Sequence, residues 1–231
     1  MSKNEGYMSL LLLIIISVFV SYLIGSFSSS VWIGTNFYNI DPREYGSGNA
    51  GATNTFRVLG KKAGWFVMLL DIFKGFLASS IPLGFAYINS DLALSGSQLI
   101  VFQLITGVSA ILGHIFPVYY NFKGGKGVAT ILGMMFAIHF EAAVVCIIIF
   151  MAVLILSKYV SLGSMIASFA FPVLISFDRF HHEEPRANAI MTVFGIAVFC
   201  LVVITHQKNI KRLLSGTENK TKISLKKKAT I

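Results

Sequence analysis

Four apolar runs constrain this chain more than anything else in it: Met8 to Ile33, Gly64 to Ile88, Ser97 to Phe116 and Ala189 to Thr205. Each is long enough to cross a hydrocarbon core of about 30 Å, which takes roughly 17 to 25 helical residues. The expected fold is therefore an all-α polytopic membrane protein. Composition agrees, since 55% of the 231 residues are apolar and only 13% are charged, against about a quarter charged in a soluble domain. That balance excludes an ordinary cytosolic enzyme, a disordered chain and a nucleic-acid module. The first run is too long, and its flank too weakly basic, to be a cleaved leader. Cys146 and Cys200 lie inside apolar stretches, so neither a disulfide framework nor a thiolate metal site is implied.

The stretch from Val128 to Leu156 would be about 43 Å long as one helix, too much for one span and too little for two full ones. His139 and Glu141 interrupt it, and a further short apolar segment runs from Leu162 to Phe177. Counting the interruption gives seven segments, some of them short; ignoring it gives six. Charge favours seven. The formal charge of +9 rests on 19 Lys and Arg, and with seven segments fifteen of these fall on one face. They are four in residues 36–62, two in 120–126, Lys158, and eight after Thr205. By the positive-inside rule that face is cytosolic, with the amino terminus outside.

The cytosolic segments hold the informative residues. The first contains Gly46-Ser47-Gly48-Asn49-Ala50-Gly51-Ala52-Thr53-Asn54-Thr55-Phe56-Arg57. Residues 46–51 fit G-x-G-x-x-G, and Asp71 follows at about the spacing of a dinucleotide fold. Here, though, the glycines follow a membrane helix rather than a strand, so that match is rejected. What remains is a glycine turn rich in hydroxyls and amides beside a planar guanidinium, suited to anionic oxygens. The second reads Lys123-Gly124-Gly125-Lys126-Gly127-Val128-Ala129-Thr130. It is not a Walker loop, but it is a glycine turn entering a helix, where free N–H groups and the dipole favour an anion. The third, Lys158 to Ser164, supplies hydroxyls, among them Ser161. In the fourth, His206, Asn209 and Arg212 recur every third residue and share a helix face. Asp71 and Lys74, spaced i, i+3 within the second run, read as an internal ion pair that supports the site. His181-His182-Glu183-Glu184 in an outward loop is a weak metal pattern, because adjacent side chains point apart.

Together these segments resemble the PlsY-type acyl-phosphate:glycerol-3-phosphate acyltransferases of bacterial membranes. The matching residues are Gly46 to Asn49, Gly51 to Asn54 and Arg57; Gly124 to Thr130; and His206, Asn209-Ile210, Arg212, Gly216 and Glu218. Asp71-x-x-Lys74-Gly75 and Gly113-His114-x-Phe116-Pro117 match further family signatures between them. Ala50 stands where the family usually has Pro, which loosens the turn, and a lysine-rich extension follows Glu218. The resemblance implies one membrane domain over residues 1–218 with a basic, disordered cytosolic tail over 219–231. It also implies transfer of a fatty acyl group from acyl phosphate to the sn-1 hydroxyl of glycerol 3-phosphate, giving lysophosphatidic acid and phosphate.

On that resemblance the catalytic residues are Ser47, Arg57, Lys126, His206 and Asn209, with Asn49, Gly51, Thr53, Asn54, Gly124, Gly125, Gly127, Ser161 and Glu218 binding substrate. Ser47, Asn49, Thr53 and residues 124–127 are assigned to the acyl-phosphate head group, and Arg57, Lys126, Ser161, His206 and Asn209 to glycerol 3-phosphate; linear sequence leaves the two sets interchangeable. No histidine has an Asp five positions later, so the dyad of acyltransferases with soluble donors is missing. A mixed anhydride with a good leaving group has less need of a strong base or a covalent intermediate. The expected partners are acyl phosphate, glycerol 3-phosphate, membrane lipid and, functionally, an enzyme that produces acyl phosphate; no nucleic acid, metal or cofactor is expected. The expected location is the bacterial inner membrane with a cytosolic active site. The competing class is a small-anion transporter, for which the break at His139 speaks, since transporters place their site near the midplane at broken helices.

Overall fold

The computed structural model describes residues 3–88, 94–181 and 185–221, and among these it is helical throughout, without strands. Helices α1 (Lys3–Ser26) and α2 (Ser29–Tyr38) are followed by the short α3 (Ala52–Val58) and the long α4 (Lys61–Ile88). Then come α5 (Gly96–Ile115), α6 (Val128–Ile138), α7 (Phe140–Ser157), α8 (Val160–Ile175), α9 (Pro185–Thr205) and α10 (Gln207–Leu214). Four of them, α4, α5, α7 and α9, are long and apolar enough to cross a membrane alone; α1 with α2 makes a fifth such unit, and α6 and α8 are apolar but shorter. All seven expected apolar segments are thus helical.

The interruption at His139 is where the sequence places it. His139 ends α6 and caps α7, its Nδ1 accepting from the Ala142 amide at 3.3 Å while Nε2 lies 2.9 Å from the Phe180 carbonyl oxygen. The first run differs from expectation. It does not end as one straight span at Ile33 but breaks after Ser26, bends by about 40° and continues to Tyr38. Ser26, Ser28, Ser29 and Ser30 crowd this point, and Ser29 and Ser30 direct their hydroxyls to Asp71 and Thr55 on neighbouring helices rather than to the local backbone.

Inside a bilayer a broken ladder needs other partners, and α4 supplies one. The Lys74 ammonium donates to the Phe27 carbonyl at 3.0 Å and pairs with Asp71 Oδ1 at 2.9 Å. The same carboxylate oxygen accepts from Ser29 Oγ at 3.0 Å and lies 3.7 Å from His114 Nδ1 on α5. Asp71, Lys74 and His114 are all buried.

Packing follows the small residues, as in membrane bundles generally. On α1 and α5, Gly25 meets the Ala110 backbone and Gly113 meets Tyr22; on α4 and α6, Gly75 meets the Thr130 carbonyl and Gly133 the Ile72 carbonyl, so closely that a Cβ would overlap them. Ile111, Met134, Ile175, Met191 and Val202 fill the core between α5, α6, α8 and α9. Leu12, Phe19, Leu69, Ile148 and Val193 are exposed, as lipid-facing positions would be. Replacing Lys74 by Met leaves the Asp71 carboxylate buried without its main counter-ion, and should cost about 3 kcal/mol. Thermal unfolding in detergent checks this, and Lys74→Met should fall well below Lys74→Arg.

Candidate functional site

The first loop is built around two side chains. Arg43 engages Asp41 through Nε and Nη2, the latter at 2.7 Å, and its Nη1 donates to the Tyr120 carbonyl at 2.9 Å, with the guanidinium 5.9 Å from the Tyr120 ring. This clamp ties the first loop to the turn that precedes the second, and the Arg43 hydrogen bond holds the Asp41 carboxyl below its ordinary pKa. Asn54, fully buried on α3, does the rest. Its Oδ1 accepts from the Ser47 amide at 2.8 Å and from Ser47 Oγ at 3.1 Å, while Nδ2 donates to the Pro42 and Tyr45 carbonyls at 2.7 and 3.1 Å. Gly46 makes room for this, since its φ is +63° and a Cβ there would strike Asn54 Oδ1. Asn54 therefore shapes the loop and has no hydrogen-bonding group left for a substrate, which revises its expected binding role. Ser47 is exposed at the tip, Asn49 and Thr53 are half-buried, and Gly51 caps α3.

The second loop also differs from expectation. The Gly124 and Gly125 amides donate to the Ile115 and His114 carbonyls at 3.1 and 3.0 Å, satisfying the orphan carbonyls at the end of α5. In this arrangement both amides are taken. The first-turn amides of α6 have no helical partner, and the helix entry is set by Gly127 at φ +83°, where the dipole favours an anion. Gly125 packs directly against the His114 ring, so the buried Asp71–Lys74–His114 group lies beneath this turn.

Lys126, between these glycines, donates to Asn209 Oδ1 on α10. Asn209 Nδ2 donates to Glu218 Oε1 at 2.6 Å, which also accepts from Ser161 Oγ at 2.9 Å; Arg212 Nε donates to Glu218 Oε2 at 2.6 Å. Burial pushes the Lys126 ammonium down to about 8, the Glu218 charge opposing this and the Arg212 and Arg57 charges adding to it. Arg57 lies within the field of the same charges, and its guanidinium makes no hydrogen bond or ion pair to the described residues. Burial would raise the Glu218 carboxyl, but hydrogen bonds from Arg212, Asn209 and Ser161 outweigh it and leave the group ionised.

His206 is buried, and burial together with Lys126 pushes it down to about 4. Its Nδ1 lies 2.8 Å from the Val202 carbonyl, which can only accept, so Nδ1 carries the proton and Nε2 is left as an acceptor. At neutral pH the imidazole is therefore uncharged among cations.

Of the residues chosen from sequence, Arg57, Lys126, Ser161, His206, Asn209 and Glu218 come together from four parts of the chain. The segment after α10 is tied back to the turn before α8: Thr221 N donates to the Lys158 carbonyl at 2.8 Å and Lys220 stands 5.7 Å from the Tyr159 ring. Order thus continues past the expected boundary at 218, while residues 222–231 of the basic tail, and residues 182–184 of the outward His and Glu pattern, lie outside the described residues. Arg212 belongs to the cluster too; its helical spacing and the family resemblance both singled it out, although it was not among the assigned site residues. The Arg43–Tyr120 clamp and the Phe27–Ser28 break were not anticipated; the serine cluster was the one available signal for the break.

Comparison with known proteins follows this geometry. The family model described as glycerol-3-phosphate acyltransferase matches residues 15–216. A glycerol-3-phosphate acyltransferase of Enterococcus faecalis (strain ATCC 700802 / V583) is 42% identical over 217 residues, covering 93% of this chain and 95% of its own. One from Chlorobium phaeobacteroides (strain BS1) is 40% identical over 227 residues, covering 90% and 97%. The crystal structure of PlsY (YgiH), an integral membrane glycerol 3-phosphate acyltransferase, in its glycerol 3-phosphate form superimposes with a TM-score of 0.76 at 32% identity, over 90% of this chain and 95% of that one. Its lysophosphatidic acid form gives a TM-score of 0.73 at the same identity.

The state of His206 has a measurable consequence. A histidine held at about 4 when folded and near 6.5 when unfolded leaves the unfolded chain with more protons between those values. Stability should fall as pH drops from 6.5 towards 4, by an amount on the order of 3 kcal/mol from this residue. Thermal melts of wild type and His206→Gln across that range should show the steeper acid loss in wild type.

Proposed function

The chain belongs to the glycerol-3-phosphate acyltransferase family and is an integral membrane acyltransferase; on that premise we propose that it transfers a fatty acyl group from acyl phosphate to the sn-1 hydroxyl of glycerol 3-phosphate, releasing lysophosphatidic acid and inorganic phosphate. The observation that supports this best is the convergence of Arg57, Lys126 and Arg212 on Asn209, Ser161 and an uncharged His206 beside a helix amino terminus. Two phosphate-bearing substrates need such cations, and an acyl tail needs an adjoining bilayer. Family membership decides for an enzyme over an anion transporter.

In the proposed reaction the sn-1 oxygen attacks the acyl carbonyl carbon directly. The new ester C–O bond forms as the bond to the phosphate oxygen breaks, the phosphate leaves with that bonding pair, and the hydroxyl proton passes to a phosphate oxygen. His206 Nε2 accepts from the hydroxyl and orients it; a ring held at about 4 is a weak base. Arg57 and Lys126 bind phosphate oxygens, Lys126 as a point charge and Arg57 as a planar fork. Ser47, Asn49, Thr53 and the first turn of α6 face the donor head group and the oxyanion, with Gly127 setting that turn. Placement and charge stabilisation supply most of the acceleration. The site is assigned to the cytosolic face of a bacterial inner membrane with the amino terminus outside, supported by the fifteen cations on that side, and the donor is assigned to a separate acyl-phosphate-producing enzyme.

Protein purified in detergent and given acyl phosphate with radiolabelled glycerol 3-phosphate should yield labelled lysophosphatidic acid. Acyl coenzyme A offered in parallel should yield none, and product from it alone would sink the donor assignment. Lys126→Ala, Arg57→Ala and Ser47→Ala should each lower kcat/KM by about a hundredfold or more, in line with the loss of one charge-stabilising donor. Near-normal turnover in all three folded variants would remove the assigned roles.

A further inference from the structure

One carboxylate, Glu218, lies among the cations of a site proposed to bind phosphate. An ionised carboxylate only accepts hydrogen bonds, so it cannot hold phosphate oxygens, and its charge opposes them. Its three partners say what it does instead. Arg212 Nε and Ser161 Oγ fix the carboxylate, and Asn209 Nδ2 donates to it at 2.6 Å.

An amide side chain has two orientations, differing by exchange of its donor and acceptor ends. Glu218 can only accept, so it selects the orientation with Nδ2 towards itself. The other end, Oδ1, then faces Lys126, whose ammonium can only donate, and the Lys126–Asn209 hydrogen bond is the result. Turned the other way, the amide would set donor against donor at Lys126 and acceptor against acceptor at Glu218. The position of Glu218 is itself fixed: Gly216 turns the chain at φ +70°, the Thr217 and Glu218 amides donate to the Arg212 carbonyl at 2.8 and 3.1 Å, and Thr221 N is anchored on the Lys158 carbonyl.

We propose that Glu218 is a positioning residue: its carboxylate sets the orientation of the Asn209 amide and, through that amide, places the Lys126 ammonium for the substrate phosphate. This rests on the phosphate-binding role of Lys126 proposed above. The expected binding role of Glu218 itself is replaced by an indirect one. The charges facing Lys126 are Glu218, which favours the ammonium, and Arg212 and Arg57, which oppose it; His206 is uncharged. Removal of the carboxylate charge therefore both releases Asn209 and weakens the hold on the Lys126 proton.

Two measurements test this. The first needs no substrate: competitive acetylation of Lys126 by acetic anhydride at a series of pH values, read by peptide mass spectrometry in detergent. Wild type should titrate at about 8. Glu218→Gln should titrate about one unit lower, and Glu218→Asp, which keeps the charge, should stay near wild type. An unmoved titration in Glu218→Gln overturns the proposal.

The second is a kinetic cycle. Glu218→Gln should lose at least about tenfold in kcat/KM and its alkaline limb should move down with the acetylation curve, whereas in an Asn209→Ala background the same change should cost less than about twofold, because the relay is already broken. Additive losses would mean that Glu218 acts by another route, and they overturn the relay. If Glu218→Gln does not elute as a folded species, Glu218→Asp enters the cycle in its place: the shortened carboxylate cannot span Asn209 and Ser161, so it should lose turnover with the titration unmoved, and full turnover overturns the proposal. Wild type inactive with acyl phosphate defeats the functional reading instead, and the acetylation result then still decides whether Glu218 governs Lys126.

Discussion

A lysine ammonium inside the helical bundle holds the site end of this molecule in register. Lys74 balances the Asp71 carboxylate and simultaneously takes the Phe27 carbonyl that the break between α1 and α2 leaves without a helical partner. Away from water neither the charge nor the carbonyl has an alternative partner, so the pair and the break stabilise each other. Ser29 and His114 converge on the same carboxylate oxygen, which brings α2 and α5 to α4. Since the His114 carbonyl receives the Gly125 amide, the glycine turn bearing Lys126 is hung from the same knot. The polar centre thus fixes the angle of α2, which leads to the first loop, and the position of the second loop.

Above this knot the two loops are locked to one another by Arg43, which spans from Asp41 to the Tyr120 carbonyl, and by Asn54, which uses its whole amide on the loop that displays Ser47. The glycines of the site accordingly have unlike jobs. Gly46 admits Asn54 and Gly127 directs α6 inward, whereas Gly124 and Gly125 close the end of α5. A row of glycines beside lysines reads from sequence as one phosphate cradle, yet the Gly124 and Gly125 amides are spent on the carbonyls that end α5.

The helical, membrane-embedded character of the fold was legible because the need to cross about 30 Å of hydrocarbon leaves a signature in run length that no local detail can hide. The break at His139 was legible for a related reason, as a polar residue in an overlong run. The break at Phe27 was not, since the serines there are small enough to continue an apolar run, and the group that takes the freed Phe27 carbonyl is a lysine 47 positions away. At the site, residue types suited to anions marked Arg57, Lys126 and His206 correctly as members of one cluster, because their chemistry is local. The role of Asn54, of Gly124 and Gly125, and of Glu218 depends on which partner each meets across the fold. A carboxylate in a phosphate motif looks like a ligand until its three donors are known.

Burial gives the site its unusual electrostatics. Lys126 at about 8 and His206 at about 4 are both displaced towards their neutral forms, and the Lys126 charge adds to the burial that keeps His206 unprotonated. In the proposed reaction a phosphate dianion enters this field, and an opposite charge within about 4–6 Å favours the protonated state of both groups. Lys126 then becomes firmly cationic where it holds phosphate, while the His206 pKa rises from about 4 and its Nε2 becomes a better hydrogen-bond acceptor for the sn-1 hydroxyl. The substrate would thereby tune the two groups that handle it, and only when it is present. In the same proposed reaction an imidazole held at about 4 before glycerol 3-phosphate binds would be too weak a base to activate water, so the burial that lowers His206 would also guard the acyl phosphate against hydrolysis until the acceptor alcohol is in place.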